Sequence, residues 1–171
     1  VPGVTEPATP LMFIDHALDR MQAGDLAGVR STLDDAFPGR ADDPGTLPVL
    51  PTFLELLLRT ELDGARAALD AMRAEPVREP AYALSTRLAV EVAHRLQARD
   101  EGRTAAAVLR LASEHGHPEH RGEARFFHAV LLEDAGDPDG ALRDYEAAAG
   151  ECRPPLGARA AFEAACLRHG R

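Results

Sequence analysis

The chain contains no lysine, no asparagine and no tryptophan. All 19 of its basic residues are therefore arginine, set against 28 carboxylates, and the formal net charge is −9. This acidic balance, with no run of basic residues, excludes a general nucleic-acid binder, which needs a basic face to displace phosphate counterions. Cysteine is scarce: Cys152 and Cys166 are too few for a disulfide framework and read as reduced, half-buried thiols of a cytoplasmic protein. No apolar run approaches the roughly 20 residues of a membrane span. The opening VPGVTEPATP has neither the basic nor the apolar region of a secretory signal. A glycine-rich phosphate loop of Walker or Rossmann spacing is also missing. Abundant alanine with arginine in place of lysine reads as GC-rich, bacterial codon usage rather than a functional choice.

Strand signals are nearly absent too, and helical ones fill the chain. Thr9-Pro10 reads as an N-cap with proline at the first helical position, followed by Leu11, Ile14, Leu18 and Met21 on one stripe. Gly24 stops that helix and Asp25 caps the next, whose apolar positions are Leu26, Val29, Leu33 and Ala36. Pro38 to Leu47 is the longest irregular stretch. Beyond it lies an apolar helix around Phe53 to Leu58, and then a partner capped by Asp63. Glu79-Pro80 opens a third pair, with one helix to about Ala98 and another around Thr104 to Ser113. Pro118 opens a fourth, broken at Gly136 and resumed after Asp137-Pro138; Pro154-Pro155 opens a last helix ending at Gly170. The expected organisation is a flexible segment over residues 1–9 and one all-α domain over 10–171, with four helical hairpins and a final helix.

The stretches AGDLAG (Ala23 to Gly28) and AGDPDG (Ala135 to Gly140) are near-copies, and the hairpins align around them. The small residue that begins each second helix is Val29, Ala65, Ala105 and Ala141, at spacings of 36, 40 and 36. Four positions later stand Leu33, Leu69, Leu109 and Tyr145; three beyond that stand Ala36, Met72, Ala112 and Ala148. Twelve before the small residue stand Ala17, Phe53, Ala93 and Ala129, and prolines close the units at Pro38, Pro76, Pro118 and Pro154. Small residues on both helices let their axes approach to about 8–9 Å, and the larger residue fills the groove. One such hairpin cannot bury its own apolar face, so the units stack and the segment from Pro155 to Arg171 reads as the cap.

The fourth unit, ARFFHAVLLEDAGDPDGALRDYEAAAGECRPP, resembles a tetratricopeptide repeat through its turn glycine and the spacing of Ala141, Tyr145 and Ala148. The first unit matches through Gly24 and Ala36, and the second and third by small and apolar character alone. The family's tryptophan and tyrosine in the first helix are missing, and the periods exceed the standard 34 or so. The resemblance implies a right-handed superhelical α-solenoid of four hairpins plus a capping helix. It also implies a non-catalytic protein–protein interaction module, a scaffold or adaptor that takes a peptide, a helix or a second copy on its concave face. A grip on a C-terminal carboxylate, made in the family through lysine and asparagine, would need arginine substitutes here, because the chain has neither.

Carrying the first stripe through the repeat gives Leu47, Leu50, Leu54 and Leu57, then Arg87, Val90, His94 and Gln97, then Glu123, Phe126, Val130 and Glu133. The expected groove is therefore Leu18, Met21, Leu54, Leu57, Arg87, His94, Phe126, Val130 and Glu133, apolar in its N-terminal half and mixed beyond. The competing expectation is that this stripe is core. His115, His117 and His120, with His128 further on, could bind zinc or nickel and would make the protein a metal-dependent enzyme. Their place in a turn between units favours a solvated histidine-rich turn. Asp15-His16 and Asp34-Asp35 fall short of a catalytic arrangement. The residues therefore point to no enzyme, no cofactor and no metal. Because the chain does not begin with methionine, a second function class is also open: a regulatory or sensor segment of a larger bacterial protein, such as a transcription regulator.

Overall fold

The computed structural model describes residues 11–37 and 49–170. The N-terminal segment, the Thr9-Pro10 cap, the Pro38–Leu47 stretch and the stripe position Leu47 lie outside the described residues. Among those described, every regular element is helical. The order is α1 (Met12–Gln22), α2 (Leu26–Ala36), α3 (Val49–Leu58), α4 (Leu62–Ala74), α5 (Glu79–Ala98), α6 (Gly102–His115), α7 (Pro118–Asp134), α8 (Pro138–Glu151) and α9 (Leu156–His169), with a 3₁₀ turn at Pro76–Arg78 before α5. Each helix packs on the next, and the first helices of successive pairs, α1, α3, α5 and α7, also touch in sequence.

Each pair turns through one residue in the left-handed region. These are Gly24 (φ 73°), Thr60 (59°), Asp100 (62°) and Gly136 (82°). The hydrogen bonds repeat as well. The turn residue's N–H donates to the carbonyl three residues back, on Met21, Leu57, Gln97 and Glu133; the following N–H donates five back, to Arg20, Leu56, Leu96 and Leu132. Such bonds satisfy carbonyls that a helix end leaves open. Every anchor from Val29 to Ala141 stands five residues after its turn and is at most 1 % exposed. The register aligned on side chains is thus also the register of the backbone.

The two near-copies at the turns share one device. Asp25 and Asp137 accept hydrogen bonds from the backbone N–H of Gly28 and Gly140, at 2.8 and 2.9 Å. A Cβ on either glycine would fall 2.2 or 2.3 Å from the capping carboxylate, which would have to shift to admit it. The middle units lack the device: Glu61 and Glu101 stand at the N-cap with no side-chain hydrogen bond to the helix. Asp63, expected to cap α4, lies instead within its first turn.

Thr60 is the least comfortable turn residue, because a β-branched side chain disfavours positive φ. Thr60→Gly removes a backbone cost of about 1–2 kcal/mol, partly offset by glycine's larger unfolded-state entropy. The expected net gain is about 0.5–1 kcal/mol, read as a higher urea midpoint at unchanged slope. An equal or lower midpoint would remove strain at this turn from the account.

The apolar α3 is where the stack closes. Leu50, Phe53, Leu54, Leu57 and Leu58 are all buried, as expected for a helix apolar around most of its circumference. Its neighbours α1 and α5 touch each other as well as α3. They run parallel, with Asp15 paired to Arg95 and Asp19 to Arg99 (2.7 Å), and Gln22 beside Glu101 (3.3 Å). These pairs are partly exposed and contribute little stability each, but they mark a contact that skips a whole unit. One core runs from Ile14 to Ala124, and a second joins α7, α8 and α9.

Candidate functional site

The mutual contact of α1, α3 and α5 decides where the expected groove residues lie. Leu18, Leu54 and Leu57 are 4, 1 and 1 % exposed and belong to the larger core; Phe126, at 2 %, belongs to the smaller one. These four side chains therefore face inward rather than forming a surface. The other members sit nearer solvent. Met21 packs half-buried on the larger core, Val130 packs on the smaller, and Arg87 is exposed on α5. His94 meets the Phe127 ring edge-on with centroids 4.5 Å apart. Glu133 accepts a hydrogen bond from the Tyr145 hydroxyl at 3.1 Å, tying α7 to α8.

An accessible apolar groove exists elsewhere, between α1, the C-terminal end of α2 and the first half of α5. Its volume is about 610 Å³. Phe13 and Phe37 form one wall, edge-to-face at 5.4 Å, and Met12, Leu84 and Leu88 continue it. Met12 is 49 % and Leu84 37 % exposed. His16, Arg20, Thr32 and Asp35 supply polar groups to the same groove. The long α5 creates this shape: Asp15 in the first turn of α1 lies beside Arg95 near the end of α5, so α5 extends past the start of α1 and carries Leu84 and Leu88 there. The stripe carried through the repeat missed both leucines. Their i, i+4 spacing on α5 was the available signal.

The histidines do not converge. His115 ends α6 with its Nδ1 3.2 Å from Asp70 of α4. His117 is the N-cap of α7: its Nδ1 accepts from the Glu119 N–H at 3.1 Å, which leaves the ring proton on Nε2 to donate to Glu79 at 3.0 Å. His120 lies with its ring 6.3 Å from that of His117, and burial holds its pKa below the ordinary histidine value, against the pull of Glu119 and Glu123. His128 is 2.5 Å from Asp144 and braces α7 against α8. Among the described residues no three His, Cys, Asp or Glu side chains are placed to hold one metal ion. Both cysteines are free and half-buried, and burial raises the Cys152 thiol pKa, with Glu151 and Glu123 adding to the effect, so it stays protonated. Asp15, suspected beside His16, is spent on Arg95 and Arg99. None of the described helices is long and apolar enough to cross a membrane.

No protein-family model and no curated protein matches the chain. Among solved structures it is similar to the crystal structure of MamA protein, at 16 % identity, covering 94 % of this chain and 81 % of that one, with a TM-score of 0.44. A likeness that loose carries no argument about function, and the repeat described above rests on the chain's own turns and packing.

Proposed function

We propose that the protein is a non-catalytic protein–protein interaction module: a tetratricopeptide-like α-solenoid, wound as a right-handed superhelix, that binds a helix of a partner protein. The observation that supports this most is the groove between α1, α2 and α5, where Met12 and Leu84 stay exposed beside an aromatic wall. Apolar side chains held open in a groove with polar groups at hand suit an amphipathic helix, which lays its i, i+3, i+4 and i+7 residues into it. The metal-enzyme reading gains no support from histidines that pair separately with Asp70, Glu79 and Asp144.

The test is selection of helical peptides from a displayed library against the whole chain, followed by titration of the winners against Leu84→Glu. Leu84 is exposed enough for that variant to keep its circular dichroism spectrum and melting curve. Binding is expected to weaken at least about tenfold, as for an interface anchor losing more than about 1.4 kcal/mol. Selected helices that bind Leu84→Glu as well as the parent would refute the groove.

A further inference from the structure

We propose that the link between α6 and α7 is an acid-sensitive joint, in which His117 caps α7 only while its imidazole is neutral. The two ring nitrogens have separate duties. Nδ1 accepts from the Glu119 N–H at 3.1 Å, and Nε2 stands 3.0 Å from the Glu79 carboxylate of α5. A backbone N–H donates only to a ring nitrogen that keeps its lone pair, so the single proton of the neutral ring sits on Nε2. A second proton has one place to go, Nδ1, where it opposes the Glu119 N–H. The ring has little room to turn aside. Its side chain is 12 % exposed, and Tyr82 meets it edge to face with centroids 5.2 Å apart. Protonation also places a positive charge at the N-terminus of α7, the end of a helix that favours negative charge.

The joint has a part that titrates and a part that does not. Neutral groups tie the link to α5. The His117 N–H donates to Thr86 Oγ1 (2.8 Å), the Thr86 hydroxyl to the Tyr82 carbonyl (3.0 Å), and the Tyr82 hydroxyl to the His115 carbonyl (2.8 Å). Burial raises the Tyr82 pKa above its ordinary value, so that hydroxyl keeps its proton throughout. The titrating part is His117 with His120, their rings 6.3 Å apart at the start of α7. His120 is half-buried, and burial lowers its pKa, so the folded chain favours the neutral ring here too.

The charges around the two rings pull both ways. Glu79, Glu119 and Glu123 attract a further positive charge, whereas Arg87 of α5, and Arg73 and Arg121 near Tyr82, repel it. His115 is engaged separately with Asp70 of α4. Beyond His120, Glu151 is paired with Arg121 and Arg125, the Cys152 thiol stays protonated, and Arg153 lines the same small pocket. Glu79 and Glu119 are exposed, so water and salt screen their pull, while the cap bond is lost outright. Because the His120 pKa is lowered by folding, the stability of its neutral ring is complete above the ordinary value of about 6.5 and is lost as pH falls through the lower one. Loss of the His117 cap acts in the same direction. Acid therefore frees the start of α7 while the link stays tied to α5, and the fourth hairpin loosens against the third.

Heteronuclear NMR of the nitrogen-labelled whole chain, titrated from about pH 7.5 to 5, tests the joint in the parent protein. At the upper end His117 should show an unprotonated Nδ1 and a protonated Nε2. As the ring takes its second proton, the Glu119 amide should lose its hydrogen-bonded shift with the same midpoint. Its exchange protection, corrected for intrinsic rates, should fall about fivefold, the factor of a lost cap. His117→Asn keeps an accepting cap without a titrating ring. Its Glu119 amide should hold its shift over the range, and its urea midpoint should fall less with acid than the parent's. The opposite tautomer at the upper end overturns the proposal, as does a Glu119 amide that ignores the titration of His117. So does a His117→Asn variant that loses as much stability with acid as the parent.

Discussion

Replacing Leu18 and Leu54 together with glutamate is expected to unfold the protein. The two side chains are 4 and 1 % exposed, on α1 and α3, in the core that α1, α3 and α5 close around. A carboxylate at either place must stay charged without a partner or be neutral at a cost, and the leucine's packing is lost as well. Each effect is worth several kcal/mol, so the pair exceeds much of the roughly 5–15 kcal/mol that holds a domain together. The measurement is helical circular dichroism with a urea titration: the expected result is no cooperative transition. Leu84→Glu is the internal contrast, because an exposed position on the neighbouring helix takes the same charge with little effect. A double variant that folds cooperatively would return the stripe to the surface and remove the closed contact of the first helices from the account.

This contrast also marks the limit of what the sequence could reveal. The four hairpins were legible because helix ends need particular chemistry. Glycine at a left-handed turn and aspartate to cap spell AGD twice. The middle units turn through Thr60 and Asp100, where no such spelling exists; prolines and the spacing of Ala65 and Ala105 placed them. The groove was less legible for a different reason. A repeat offset carries a residue to the equivalent helix position, but it does not say whether three first helices stand apart or touch. Here α1 meets α5 through Asp15, Asp19, Arg95 and Arg99, side chains about 80 positions apart with no local signal of pairing. That contact turned Leu54 and Leu57 into core and left Leu84 open. The histidine-rich turn misled in the same way. His115 and His117 are neighbours in sequence, yet their partners Asp70 and Glu79 come from two other helices.

The packing of α7 against α8 supplies the second large effect. Ala141 of α8 and Ala129 of α7 are both 0 % exposed, in the core that also holds Phe126 and Tyr145. Phe126 and Tyr145 lie ring to ring at 5.5 Å, and Arg159 of α9 stands over the Phe126 ring at 5.6 Å. Room for a larger side chain at 141 would have to come from these rings or from the helix axes. The His128–Asp144 and Tyr145–Glu133 contacts pin those same two axes together. Ala141→Leu is therefore expected to overpack the hairpin and cost about 1–3 kcal/mol, which lowers the melting temperature by roughly 2–4 °C per kcal/mol in a chain of this length. Ala27→Leu, on the exposed face of α2, should stay within about 0.5 kcal/mol of the parent. Equal melting temperatures for the two variants would mean that α7 and α8 are not in close approach at Ala141.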